Sequence, residues 1–304
     1  MAVSPSHIYI SPHLDDAVCS CGGLIYRQTH GGERVQVVTL FTAGIENPDA
    51  LSPTLRTLHR LWGFLESDPY PARRAEDIAA LEILGADYRH IGWPGALYRR
   101  SRSGRFLYTG LSYFGSPPYE DLRLLVNIRR LLQDLRQQHP DAVFHIPLGV
   151  GGHVDHRLVR RAARDLPGPV HFYEEIPYVL LGKVAPLVMR LLSILSQRST
   201  RLNTMSSGGH VGSLISAIQS RTSLLGGPQL ALLANRPSRG RKWQPTLHPI
   251  DLQAKFEAVM CYATQIPMLF GTLEQARRAL ETYATSIRRH DRTPYERQWV
   301  LQPR

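Results

Sequence analysis

Cysteine is scarce: Cys19, Cys21 and Cys261 are the whole supply. Three thiols, two of them almost adjacent, cannot make a disulfide framework, and such usage fits a reducing compartment. Long apolar runs are missing too. A membrane-spanning helix needs about 20 uninterrupted apolar residues, and the most apolar segment, YVLLGKVAPLVMRLLSIL (178–195), is broken by Lys183, Pro186 and Arg190. It reads as a core or lid helix. The opening MAVSPSHIYI carries no basic stretch ahead of a long apolar one, so no secretory signal is legible. A cytoplasmic chain without a transmembrane span is the expectation. Acidic residues are outnumbered, 25 against 36 basic ones, for a formal charge of +11. The basic residues nevertheless fall in short groups, such as Arg99–Arg100–Ser101–Arg102 and Arg239–Gly240–Arg241–Lys242. With no long basic run and no zinc-finger or RNA-binding pattern, nucleic acid is an unlikely partner, and solvated helix faces account for the charge.

What is present is ordinary for a globular protein: 43% hydrophobic and 20% charged residues over 304 positions. That is enough to bury one large core, so residues 1–304 read as a single domain. Strand-like and helix-like patterns alternate. HIYIS (7–11), RVQVVTLFTAG (34–44), DYRHIGWP (87–94), DAVFHIPLG (141–149) and PVHFYEEIPY (169–178) read as strands. Helical patterns occupy 16–32, 54–66, 70–86, 119–139 and 153–166, with glycine stops at Gly31–Gly32 and Gly85. Helices resume over 251–266 and 273–290. The predicted fold class is α/β: a Rossmann-like, mostly parallel sheet flanked by helices, with a C-terminal helical elaboration. Residues 180–245 read as a variable insertion or flap, with NRPSRGRKWQP as an exposed loop. The Tyr- and Arg-rich stretch 92–117 is irregular and suits one wall of a pocket.

Two strand-to-helix junctions share a vocabulary: His13–Leu14–Asp15–Asp16 and His153–Val154–Asp155–His156. One short polar side chain suffices to cap a helix, and capping does not explain a histidine–aspartate set occurring twice. In a doubly wound sheet, ligands bind at the carboxyl ends of strands where the strand order reverses. Neighbouring first and fourth strands would bring the two turns face to face there. Imidazole and carboxylate are good zinc ligands. His13 and Asp16, three residues apart, can chelate from one turn, and His156 completes a two-histidine, one-carboxylate set. Asp15 is then free to act as a base on water. Another divalent transition metal is also compatible with such ligands.

SPHLDDAV together with GGHVDH resembles the two signature motifs of the PIG-L/LmbE-like zinc-dependent N-acetylglucosaminide deacetylases, with Leu14 in place of the usual second proline of P-H-P-D-D. RRAEDIAALEILGA is similar to that family's R-x-x-E helix, aligning Arg73 and Glu76, and the likeness continues through FYEEIPY and KFEAVMCYATQIPMLF to ERQW. The resemblance implies zinc held by His13, Asp16 and His156, with Asp15 as general base. It implies that His153 stabilises the oxyanion or protonates the leaving amine and that Asp155 tunes and orients His153. Arg73 would support the carboxylates or the substrate. The implied reaction releases acetate and a free amine from an N-acetylglucosamine-type glycoconjugate, a small-molecule partner. The alternatives are a metal-dependent hydrolase of another amide or ester, and a carbohydrate-binding member without catalysis.

Overall fold

A computed structural model describes residues 4–44, 51–64, 67–181, 242–288 and 293–302. β1 (His7–Ser11), β2 (Val35–Thr39), β4 (Val143–Pro147) and β5 (Val170–Tyr173) form the centre of a seven-stranded sheet. Ile8, Ile10, Val37, Val38, Phe144, Ile146 and Tyr173 are buried there. Near-continuous apolar runs are what strands covered on both faces require. β3 (Asp87–His90) is exposed and polar, as suits an edge. The order is β3-β2-β1-β4-β5-β7-β6. Strands β1 to β5 pair in parallel, whereas β7 (Tyr295–Leu301) runs antiparallel to both β5 and β6 (Trp243–Pro249). The mostly parallel α/β architecture expected from the alternation is therefore present.

The helices are α1 (Asp16–His30), α2 (Pro53–Leu61), α3 (Tyr70–Ile83), α4 (Leu122–Gln138), α5 (Val154–Ala162), α6 (Leu252–Met260), α7 (Ile266–Leu269) and α8 (Leu273–Ser286). Among the described residues, no helix is long and apolar enough to cross a membrane. Helix α1 lies against the start of α6. A Cβ on Gly23 would stand 2.8 Å from the Asp251 carbonyl oxygen, so only glycine permits the approach. The junction is tied by a buried ion pair, Lys255 Nζ to Glu296 Oε1 at 2.7 Å, and Glu296 also accepts hydrogen bonds from Gly23 N and Leu24 N.

The sheet is wider than the sequence suggests. Residues 243–245, expected within an exposed loop, open β6, and β7 falls where the sequence offers a family likeness but no strand pattern. Pro245 and Pro249 spoil the strand pattern of β6, and proline is tolerated there because β6 pairs on one side only. Strand β7 hides its nature differently, by burying Glu296 and Gln298. The strand expected over 169–178 ends at Tyr173, and the helices expected over 54–66 and 153–166 are shorter. The proposed insertion at 180–245 and the helix at 178–195 lie almost wholly outside the described residues; Tyr178–Leu181 form a 3-10 turn. The stretch 92–117 is irregular as expected, with short 3-10 turns at Ala96–Tyr98 and Ser112–Phe114.

Candidate metal centre

β1 and β4 are neighbours, and the sheet grows away from them on both sides, so the reversal of strand order falls between them. The turn leaving β1 is shaped by its own side chains. Ser11 Oγ donates to the His13 carbonyl oxygen (2.6 Å) and accepts from Ala17 N (3.1 Å), while Asp16 Oδ2 accepts from His13 N (2.8 Å). Asp15 occupies the N-cap position of α1, yet its carboxylate makes no capping hydrogen bond. The simple cap explanation for this carboxylate fails on geometry.

The turn leaving β4 needs glycine. Gly149, Gly151 and Gly152 have φ of 87°, 81° and 79°, and a Cβ on Gly151 would lie 2.6 Å from the Tyr178 ring. Helix α5 is capped by His153, whose Nδ1 accepts from Asp155 N at 3.2 Å. A bare Nδ1 leaves the proton of a neutral imidazole on Nε2. Burial, with His13 second, holds His153 well below the ordinary histidine range.

Both turns deliver their polar groups to one spot. Asp16 Oδ2 lies 3.0 Å from His13 Nδ1 and 3.1 Å from His156 Nε2, and the two nitrogens are 3.4 Å apart. Tetrahedral ligands placed about 2.0–2.1 Å from a zinc stand roughly 3.3–3.4 Å from one another. The spacing of the three atoms fits one small cation. His153 stands close by: ligand atoms of His13, His153 and His156 all lie within 4.8 Å of one another.

Each clustered histidine turns its other nitrogen to a second carboxylate. His13 Nε2 is 3.0 Å from Asp155 Oδ2, and His156 Nδ1 is 3.1 Å from Glu175 Oε1. Metal-ligating histidines habitually carry such a partner, which fixes the ring and its tautomer. Asp155 therefore bears on His13 with its carboxylate and holds His153 through its backbone N–H. Burial works against the Asp16 carboxylate, but His156 and His13 outweigh it and hold it well below the usual range. Burial likewise opposes charge on His156, and Asp16 overcomes it, raising the imidazole to about 10.

Asp15 stays outside this cluster. Burial and the neighbouring Asp16 charge lift it to about 6, against the pull of Arg73. Arg73 Nη2 stands 3.6 Å from Asp15 Oδ2, with its guanidinium over the rings of Trp62 and Tyr70. Arg74 instead donates to the Thr42 carbonyl oxygen, and Glu76 accepts from Thr264.

Sequence reasoning missed two further residues. Glu175 accepts from Gly149 N (2.6 Å) and Val150 N (3.1 Å) as well as facing His156. Arg99 grips Asp155 Oδ1 through Nη1 at 2.6 Å and Asp121 Oδ2 through Nη2 at 2.7 Å. Glu175 sat in the quoted FYEEIPY, beside an equally acidic neighbour; Arg99 sat in a group that looked like surface charge. The segment around Arg99 does border the site. Tyr113 and Phe114 place their rings 5.2 and 5.7 Å from His153.

Residues 8–166, more than half of the chain, match the PIG-L family, described as GlcNAc-PI de-N-acetylase. The chain belongs to the PIG-L family. Two curated relatives, both named 2'-N-acetylparomamine deacetylase, are similar to it. The one from Streptomyces fradiae is 33% identical over 180 residues, covering 56% of this chain and 57% of its own length. The one from Niallia circulans is 30% identical over 188 residues, covering 56% of this chain and 66% of its own length. The chain thus spans somewhat under two thirds of each relative. Among solved structures, the zinc-inhibited form of teicoplanin deacetylase Orf2 superimposes with a TM-score of 0.70 at 23% identity, covering 97% of this chain and 98% of that one. At that identity the likeness shows a shared fold.

Proposed function

We propose that this chain is a metal-dependent N-deacetylase that removes the acetyl group from a 2-acetamido sugar of the N-acetylglucosamine type within a small glycoconjugate. The observation that carries the reading is the convergence of His13 Nδ1, Asp16 Oδ2 and His156 Nε2 within 3.0–3.4 Å, with Asp15 left out beside them. The curated relatives act, by name, on 2'-N-acetylparomamine, which supports the reaction class.

His13, Asp16 and His156 would hold the metal, most simply zinc. When bound, such an ion polarises an amide carbonyl and acidifies water. The remaining work belongs to the protein's own groups. Asp15 takes the proton of the attacking water and returns it to the departing amine nitrogen. His153, with Nδ1 occupied by Asp155 N, presents an Nε2 proton that can donate to the oxygen on which negative charge develops. Arg73 keeps the Asp15 carboxylate in place and shields it from the Asp16 charge. The aromatic faces of Tyr113, Phe114 and Tyr178 near His153 and His156 suit the apolar face of a sugar.

The test is to load the purified chain with zinc, measure metal by elemental analysis and assay acetate release from a panel of N-acetylglucosamine conjugates. About one zinc per chain is expected from the three-ligand set. Asp15→Asn should retain the zinc and lose roughly 10²–10⁴-fold in turnover, the usual scale for a removed general base. Full activity in that variant would overturn the role of Asp15. Absence of bound metal in the wild type would overturn the whole reading.

A further inference from the structure

The two clustered histidines are braced in different ways. Glu175, behind His156, is held by the backbone N–H groups of Gly149 and Val150, which belong to the same turn that carries α5. Asp155, behind His13, is held from outside that turn. Its Oδ2 accepts from Ala96 N at 3.0 Å and its Oδ1 faces Arg99 Nη1 at 2.6 Å. Both donors lie in the irregular segment that borders the site. Arg99 is fixed in its turn: Nη2 reaches Asp121 Oδ2 at 2.7 Å, and Tyr108 OH donates to that same oxygen at 2.5 Å. Its guanidinium packs over the rings of Phe41 and Tyr108. Arg99, Asp121 and Asp155 are all buried, so little solvent competes with these contacts.

The result is one chain of charge-assisted contacts, Tyr108–Asp121–Arg99–Asp155–His13, running from residues 96–121 into the candidate metal centre. We infer that Arg99 is a positioning residue that orients His13 through Asp155, so that metal retention depends on how the 96–121 segment is seated. The inference rests on the reading of His13 as a metal ligand. Its consequence is specific: a substitution outside both histidine motifs weakens the metal site.

The test uses the full-length, metal-free protein and zinc alone as probe, titrated against a chromophoric chelator. Wild type is compared with Arg99→Met, Arg99→Lys, Tyr108→Phe and, as a control on the same segment, the exposed Arg102→Met. Loss of the outer partner of a ligating histidine typically weakens binding 10- to 100-fold. That loss is expected for Arg99→Met, with a smaller one for Arg99→Lys, which can reach only one of the two carboxylates. Tyr108→Phe should cost about threefold or less, and Arg102→Met nothing. Circular dichroism of the metal-free variants checks folding; if Arg99→Met does not fold, Arg99→Lys carries the test with an expected loss of about tenfold. A second readout needs no metal: the ring-nitrogen NMR signals of His13, which should move in the Arg99 variants and stay in Arg102→Met. Unchanged zinc affinity in a folded Arg99 variant would overturn the inference while leaving the proposed activity intact. If wild type binds no zinc, the metal reading falls, and the His13 signals alone decide: moved, they uphold the positioning role; unmoved, they end it.

Discussion

Two groups of histidines occupy this sheet, and their company separates them. At the switch point, His13 and His156 meet Asp16, Asp155 and Glu175, and both imidazoles are pushed up in pKa. Strung across the sheet on β1, β4, β5 and β6 are His7, His145, His171 and His248, whose neighbours are mostly amides and one another. His7 Nδ1 is 3.0 Å from His145 Nε2, and the Gln298 side-chain oxygen on β7 accepts from Nδ1 of both His145 (2.9 Å) and His171 (3.2 Å). Tyr9 stacks on His145 at 4.0 Å, and Glu33 reaches His7 at the exposed margin. Burial comes first among the causes that push all four down, His248 to about 4. The same side chain is a candidate ligand where carboxylates surround it and a neutral structural strut where a glutamine does.

The sharpest way to break this comparison is to delete one histidine from each group. His156→Ala should abolish zinc retention and lower acetate release by about 10³-fold or more, since a catalytic metal site needs all three protein ligands. His145→Ala should leave zinc stoichiometry at the wild-type value and instead cost on the order of 2 kcal/mol in chemical denaturation, through an emptied volume and the lost contacts to Gln298 and His7. Equal zinc loss in both would erase the distinction.

A milder change makes one group resemble the other. Glu175→Gln gives His156 an amide partner like that of His145, and zinc affinity should fall about 10- to 100-fold with the fold intact. The smallest effect concerns acid. Histidines whose folded pKa lies below the unfolded value near 6.5 contribute stability that is complete above that pH. The contribution is lost as pH falls toward the folded value, here from about 6.5 down to about 4 for His248. In the metal-free protein, whatever change in melting temperature occurs between pH 7 and 5, His248→Gln should shift it toward greater acid stability by about a degree or two relative to wild type.

Much of this could be read from the chain. The parallel centre was legible because β1, β2 and β4 are buried on both faces and therefore mostly apolar. The two histidine–aspartate junctions were legible because their pattern repeats at the end of a strand. The outer strands were not, since β6 carries two prolines and β7 buries Glu296 and Gln298, which look like surface in one dimension. Arg99 and Glu175 were hidden for a related reason. A buried charge is recognisable only through its partner, and the partners lie 56 positions away for Arg99–Asp155 and 19 for Glu175–His156.

The glycine turn between β4 and α5 has a consequence for how such a protein diversifies. Gly151 cannot accept even a methyl group against Tyr178, and the backbone of Gly149 and Val150 is committed to Glu175. That side of the crevice is closed to variation by substitution. On the proposed reading, new substrate preferences would be drafted on the adjoining irregular segment, where Phe114 lies 6.2 Å from the Tyr178 ring, and each such change would be tethered through Arg99 to the metal centre.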